Sequence, residues 1–490
     1  MYWDNELNVC TWSMLGTKNN DATDAEILAY LQTLGITIAD RCYFIGNDTD
    51  ITEEWHALEV PSSPAESFAG YEYSVLVPER AKEIAAQHHA NGLKAISFTS
   101  VHQWNPADAD NMLALLKTHV DCGFDGIHLD MFNGPSDTGP TASPDAARYI
   151  ADGLKAYARE TQNKDFLFSG NTWTTDDGLS LRLAAACDVA WIESWGGDML
   201  ANVLSARLAK ASTGDPTNRA VWYHLQPNTD EFWKANARTE YAKALMAACM
   251  LEDATFLCNM TYPICDSADK TRGPEGTWKF YKVQPEWEKH VFSYGAFLNR
   301  YKDLFTGASP VSDVAFAITP DALTACRPYM ACLLAANISF NVVFCNEPHF
   351  PALDADLIAG YKQVLSMEPL PFSGVENILL PALSPDECAA RLAAGKSAFL
   401  DFNDARLIGR VMQKDGKRIV HIMNNSYDLE ADKSEAVSGA TAVVCAPGAT
   451  EARYISPELA DEVVLACERD GDLLRFVLPA IAFYGTIVLQ

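Results

Sequence analysis

Positive charge is scarce in this sequence. Lys and Arg number 37 against 65 Asp and Glu, a formal net charge of −28 at pH 7. A surface that neutralises phosphates needs clustered cations, so the balance argues against nucleic acid as a partner. It argues equally against attachment to an anionic membrane surface. Long apolar runs are also missing. No window approaches the ~20 apolar residues of a spanning helix, so no membrane partner is expected. Met1 to Asn8 carry acids and no basic apolar run, and no signal peptide is expected. Paired cysteines are absent: the 13 Cys residues form no Cys-x-x-Cys motif, which removes zinc ribbons and thioredoxin-type chemistry. Cys10, Cys187, Cys258, Cys345 and Cys445 stand in apolar runs. They are expected to be buried free thiols in a reducing compartment, and the expected location is cytoplasmic.

Several catalytic motifs are lacking too. There is no Gly-x-Ser-x-Gly elbow for a Ser-His-Asp hydrolase and no His-Glu-x-x-His for a zinc protease. His88-His89 falls in a helical stretch, faces two directions and reads as a solvated surface pair. Asp48, Asp50 and Glu53 lack the Gly and closing Glu of a calcium loop. Cys258 and Cys265 have no basic neighbourhood to make a thiolate. No Gly-rich phosphate fingerprint follows the first strand, so no dinucleotide is expected. Neither a metal nor a cofactor is implied.

What is present is ordinary globular composition, 48% hydrophobic and 21% charged over 490 residues. Such a chain buries a large core without staples. The first ~305 residues alternate short apolar runs with amphipathic ones, the rhythm of a βα repeat. Eight strands are expected: 7–12, 37–45, 93–99, 124–132, 165–173, 188–195, 220–226 and 254–262. Helical patterns follow nearly all of them, and 285–305 closes the set. The expected fold class is α/β with a (β/α)8 TIM barrel over 1–307; a doubly wound open sheet is the alternative. Residues 308–404 read as a smaller α/β unit, with strands at 314–318, 340–344, 361–366 and 397–402. No site motif lies there, so it reads as structural or as a contact in a homo-oligomer. Residues 405–490 read as an antiparallel β-sandwich with hairpin turns at Asp415-Gly416 and Asp470-Gly471.

Barrel sites gather at the C-terminal ends of the strands. The fourth strand ends in Asp130, within Gly-Phe-Asp-Gly-Ile-His-Leu-Asp-Met-Phe (123–132). The sixth ends in Glu193, within Asp-Val-Ala-Trp-Ile-Glu-Ser-Trp-Gly-Gly (188–197). Period-2 alternation sends Ile127, Leu129 and Met131 to the helical shell and Gly126, His128 and Asp130 toward the axis. Two carboxylates facing each other across a barrel mouth are the equipment for glycosidic cleavage. Either acid alone can instead cap a helix or fill a polar core position. Aromatic residues add a second signal. Trp12, Trp104, Trp173, Trp191, Trp195 and Tyr262 lie at or near strand ends, where rings stack on the apolar faces of sugars. Any single Trp is better explained by core or helix packing, Trp191 above all. Asn171, Asp198, His224, Gln226 and Asn259 supply polar partners for sugar hydroxyls, with His128 beside them.

These motifs carry a family resemblance. Phe124-Asp125-Gly126-Ile127-His128-Leu129-Asp130 resembles the fourth-strand nucleophile motif of retaining barrel glycosidases. Ala190-Trp191-Ile192-Glu193-Ser194-Trp195 resembles the sixth-strand acid/base motif. The pairing is most similar to the dextranase and cycloisomaltooligosaccharide glucanotransferase family and to the wider α-galactosidase and α-glucosidase barrels. The domain order, with a flavodoxin-like unit in the middle, is similar to family-42 β-galactosidases. Those place their acids on strands four and seven, whereas Val221 to Gln226 here hold none. The resemblance implies a retaining hydrolase of an α-linked carbohydrate, with Asp130 as nucleophile and Glu193 as acid/base. The Trp residues beside Glu193 would help keep it protonated by excluding water. Transglycosylation by the same residues, or carbohydrate binding without turnover on a barrel scaffold, are the alternatives.

Overall fold

The structure, a computed structural model, describes residues 10–12, 23–33, 38–42, 44–45, 75–76, 78–100, 109–130, 143–172, 177–193, 198–214, 222–225, 239–258, 261–263, 280–282, 285–395 and 400–490. Strands and helices alternate through the first three-fifths of the chain. They are β1 (Cys10–Trp12), α1 (Asp24–Thr33), β2 (Ile38–Cys42), α2 (Pro78–Ala90), β3 (Lys94–Ser100), α3 (Ala109–Asp121), β4 (Gly126–Asp130) and α4 (Pro144–Gln162). Then follow β5 (Leu167–Asn171), α5 (Gly178–Ala184), β6 (Val189–Glu193), α6 (Met199–Ser212), β7 (Trp222–Leu225), α7 (Thr239–Leu251), β8 (Thr255–Cys258) and α8 (Pro285–Arg300). The strands pair in parallel, each with its neighbour in sequence. Cys10 is partner to both Ile38 and Leu257, which closes the ring through β1. Each strand lies inside one of the eight ranges expected from the hydrophobic runs, save that Ser100 extends β3 by one residue.

Local chemistry explains the elements. In α4, Ser143 is the N-cap and its Oγ accepts from the Ala146 amide, Pro144 occupies the first turn, and Asn163 closes the end at φ 48°. Ala147, Ile150, Ala151, Leu154 and Ala158 recur at helical spacing and are buried. They meet Ile127, Leu129, Phe166 and Phe168 in one apolar cluster between helix and sheet. The odd-numbered apolar residues of β4 therefore face the shell, as alternation demands.

A four-stranded parallel sheet follows, made of β9 (Val314–Ile318), β10 (Asn341–Phe344), β11 (Gln363–Ser366) and β12 (Glu376–Leu379), in the order β10-β9-β11-β12. Helices α9 (Leu323–Ala335) and α10 (Pro385–Gly395) supply Met330, Leu333, Cys388 and Leu392 to the cluster on one face. The other face packs Ala315, Ala317 and Val364 under Leu353, Leu357, Leu370 and Phe372, which lie in irregular chain. A doubly wound sheet carries helices on both faces; this one carries them on one. Strand β12 escaped the sequence reading because Glu376 and Asn377 break its apolar run. The expected fourth strand, 397–402, is corrected: Leu400–Phe402 pairs antiparallel with Thr441–Cys445 and belongs to the next layer.

That layer is two antiparallel sheets enclosing a second core of Leu407, Val420, Ala442, Tyr454, Phe476 and Ile487. Both expected hairpins occur. Lys414 pairs with Lys417 across Asp415-Gly416, whose φ values of 49° and 77° are those of a tight hairpin turn. The second turn lies one residue later than the expected Asp470-Gly471: Asp470 pairs with Leu473 across Gly471-Asp472. The sandwich grips the barrel: the Asp432 carboxylate accepts from the Glu240 and Tyr241 amides at 3.2 and 3.0 Å, capping α7 from outside the helix.

Candidate active site

Asp130 and Glu193 are the last residues of β4 and β6, the two strands that flank β5. Asp130 is the register partner of Ser100 on β3, and Glu193 is that of His224 on β7. Partners in a parallel pair stand on one face, so Glu193 and His224 are neighbours at the same rim. Ser100 was not singled out in the sequence; its signal is the alternation Ile96, Phe98, Ser100. At Trp12, Asp130, Glu193, His224 and Tyr262 the backbone alone is described.

Below the rim the interior is packed. His128 and Trp191 are 0% and 1% exposed, and their rings stand 3.9 Å apart with a 38° tilt. They sit on β4 and β6, so the contact crosses the barrel in front of β5. The His128 Nδ1 shares a hydrogen bond with Ser169 Oγ on β5 at 3.0 Å. Asn171, the last residue of β5, is 3% exposed and is the register partner of Trp191. Thr172 donates its amide to the Trp191 carbonyl at 3.1 Å, and its hydroxyl reaches the same oxygen. Trp191 is thus a core residue, and His128 is held in the interior beside it.

Three acids have structural partners. Asp198 is the N-cap of α6, and its Oδ1 accepts from the Leu200 and Ala201 amides at 3.0 and 3.1 Å. Asp125 precedes β4. It accepts from the Ala95 amide at 2.9 Å and from His89 Nε2 at 2.8 Å, with Lys164 at 3.9 Å. Burial alone would raise its pKa, but the His89 and Ala95 hydrogen bonds and the charges of His89 and Lys164 hold it below the usual carboxylate value. Asp188 does the same work before β6, accepting from the Phe168 amide at 2.9 Å and pairing with Lys155 at 2.6 Å. Asp125 and Asp188 bind the N-terminal ends of the strands, where barrels place stability rather than chemistry, whereas Asp198 caps the helix that follows β6. The His88-His89 pair does face two directions, but only His89 is exposed, where it carries the Asp125 contact; His88 is corrected, being fully buried with Nδ1 on the Ile84 carbonyl at 2.8 Å.

Trp104, Trp173, Trp195, Asn259 and Gln226 lie outside the described residues, as do Asp48, Asp50, Glu53 and Cys265. Among the described residues no group of His, Cys, Asp and Glu has the clustering to hold a metal ion, and no helix is long and apolar enough to cross a membrane. Cys187 and Cys345 are buried free thiols, while Cys445 is half-buried.

No protein-family model matches the chain, and no curated relative matches its sequence. Its likeness is to solved structures. α-L-Fucosidase isoenzyme 2 from Paenibacillus thiaminolyticus aligns over 99% of this chain and 100% of its own, with a TM-score of 0.62 at 11% identity. The chain has the fold of a glycoside hydrolase. A β-galactosidase from Bacillus circulans sp. alkalophilus aligns over 99% and 98%, at TM-score 0.58 and 10% identity. A β-galactosidase from Rahnella sp. R3 aligns over 92% and 95%, at 0.51 and 9%. The glycosidase-type fold covers barrel, parallel sheet and sandwich together.

Proposed function

We propose that the protein is a retaining glycoside hydrolase acting on an α-linked carbohydrate. Asp130 attacks the anomeric carbon while Glu193 protonates the departing oxygen, leaving a glycosyl ester on Asp130. Glu193 then takes a proton from water, which cleaves the ester. The observation that carries this reading is the position of the two acids, each the last residue of a strand, on strands that flank β5. By alternation Asp130 shares parity with His128, and Glu193 shares parity with Trp191, and those two rings meet in the interior. The glycosidase fold over the whole chain supports it. The α-linkage rests on the motif resemblance, and His224, Asn171 and the rim aromatics are the proposed sugar contacts. His128 acts as a positioning residue through Ser169.

The test is hydrolysis of a panel of aryl α- and β-glycosides and oligosaccharides by wild type, Asp130→Asn, Glu193→Gln and Asp125→Asn. Turnover of one α-glycoside is expected, lost by about 10²–10⁴-fold or more in the first two variants and kept in the third. The first-formed sugar should keep its anomeric configuration by NMR. Loss in Asp125→Asn with activity kept in Asp130→Asn would sink the assignment, and inverted product would remove the covalent step. Glycan binding without turnover on any substrate would favour the non-catalytic alternative. Products at high substrate concentration separate hydrolysis from transglycosylation.

A further inference from the structure

A cavity of about 340 Å³ opens where barrel, parallel sheet and sandwich meet. Arg207 and Ala211 near the end of α6 and Glu252 just after α7 line it. It therefore lies toward the N-terminal ends of the barrel strands, away from Asp130 and Glu193. Strand β10, the edge of its sheet, forms one wall with Val343 and Phe344. Phe350, Leu357 and Met412 continue the apolar surface. Apolar walls with a few placed polar groups, at a junction of domains, are the usual make-up of a small-molecule site.

The charged groups at the polar end are engaged by the protein itself. Arg207 puts Nε and Nη2 on the Glu252 carboxylate at 2.5–3.1 Å. Arg410, from the sandwich strand Leu407–Lys414, donates to the Phe340 carbonyl and to Asn341 Oδ1, both at 2.7 Å. Asn341 in turn donates to the Tyr361 hydroxyl at 3.0 Å, which fixes that amide between the two. One donor stands apart. The Arg410 Nε–H has no hydrogen-bond partner among the described residues, and the Glu252 carboxylate is 3.7 Å from it, beyond hydrogen-bond reach. Arg410 is 3% exposed, and a buried donor without an acceptor is costly. A ligand that brings an acceptor removes that cost. It needs no charge to do so, and carrying one into a largely apolar space would cost more. Size sets the rest: a cavity of ~150 Å³ takes one benzene ring, and this one is about twice as large.

We propose that this cavity binds a small uncharged molecule of two fused rings with one hydrogen-bond acceptor. The acceptor meets the Arg410 Nε–H, and the rings lie against Phe350, Leu357 and Met412. The proposal is independent of the catalytic reading.

Equilibrium dialysis of the full chain against 2-acetylnaphthalene, naphthalene and 2-naphthoate tests it. The ketone should bind saturably at one site per chain. Naphthalene leaves the Nε–H without an acceptor and should bind about 10-fold more weakly. The charged naphthoate should also bind about 10-fold more weakly or worse. Ala211→Phe and Val343→Phe each put a ring into the cavity from a different wall and change no charge, and each should abolish binding. Arg410→Lys keeps the positive charge and removes the Nε–H, so it should weaken the ketone about 10-fold and leave naphthalene unchanged. Variants are checked first by circular dichroism and melting; where one does not fold, the others and the three-ligand comparison on wild type decide. The proposal is overturned by no saturable ketone binding in wild type, or by naphthalene or naphthoate binding as tightly as the ketone. It is equally overturned by unchanged affinity in a folded cavity-filling variant, or by equal weakening of ketone and naphthalene in Arg410→Lys.

Discussion

Glu252 holds two guanidinium groups that arrive from different parts of the chain, so Glu252→Gln reports on what joins them. At an effective dielectric of ~20, a pair at 3.1 Å such as Arg207–Glu252 is worth about 5 kcal/mol, and Arg410–Glu252 at 3.7 Å about 4 kcal/mol. Glutamine loses both terms. It also escapes the several kcal/mol that burying the carboxylate costs, and it keeps one acceptor. Broken buried pairs lose about 3–5 kcal/mol, and that net loss is expected here. The assay is urea denaturation followed by far-UV circular dichroism, with hydrogen exchange to report the segments around 205–212 and 338–342. A pH arm sharpens it. Burial would raise the Glu252 pKa, but the charges of Arg207 and Arg410 and the Arg207 hydrogen bonds hold it below the usual glutamate value. Its stabilisation is therefore complete above the unfolded value and is lost as pH falls through the lower folded one. Wild type should lose its advantage over Glu252→Gln across that acid window. A difference under about 1 kcal/mol at pH 7, or one that does not shrink in acid, refutes the reasoning.

Asp432→Ala removes the external cap of α7 and should cost about 1 kcal/mol in thermal unfolding, with Asp432→Asn recovering most of it. Burial lowers the pKa of His119 to about 3, while its Nδ1 shares a hydrogen bond with Ser97 Oγ at 2.8 Å. The folded protein therefore keeps this ring neutral while the unfolded chain protonates it below ~6.5, so stability falls with falling pH by up to ~1.4 kcal/mol per unit. His119→Gln should flatten that slope between about pH 6.5 and 3, measured by denaturant titration at stepped pH.

Structure is legible in this sequence where it is local. Strand β4 was legible because Ile127 and Leu129 alternate with Gly126 and His128, and alternation needs no knowledge of neighbours. The Asp415-Gly416 turn was legible because few residues accept positive φ at two successive positions. Strand Leu400–Phe402 was misplaced because partner choice is non-local: it stands near α10 in sequence but pairs with Thr441–Cys445. The burial of His88 is hidden from the sequence for a related reason, while His89 is exposed as expected. A polar residue in a helix reads as solvated until the sheet behind it is known, and His88 meets its acceptor within its own helix while facing inward.

The acids show the same division. Asp125 and Asp130 stand five residues apart in one motif, and alternation alone separates them by face. What distinguishes their chemistry is which end of the strand each occupies. Asp125 meets the Ala95 amide of the preceding strand β3, and Asp188 meets the Phe168 amide of the preceding strand β5, so each of these two acids ties the start of its own strand to the strand before it. Asp130 and Glu193 stand at the opposite ends of the same two strands. A barrel that anchors β4 and β6 from below with one pair of acids holds fixed the strands that carry the other pair. The proposed mechanism thus asks more of Asp125 and Asp188 than stability. Asp125→Asn keeps an acceptor for the Ala95 amide and so keeps turnover, whereas removing both anchors together, Asp125→Ala with Asp188→Ala, should blur the separation of the two upper carboxylates, about 5 Å in a retaining enzyme and about 6.5–9.5 Å in an inverting one, before it unfolds the chain.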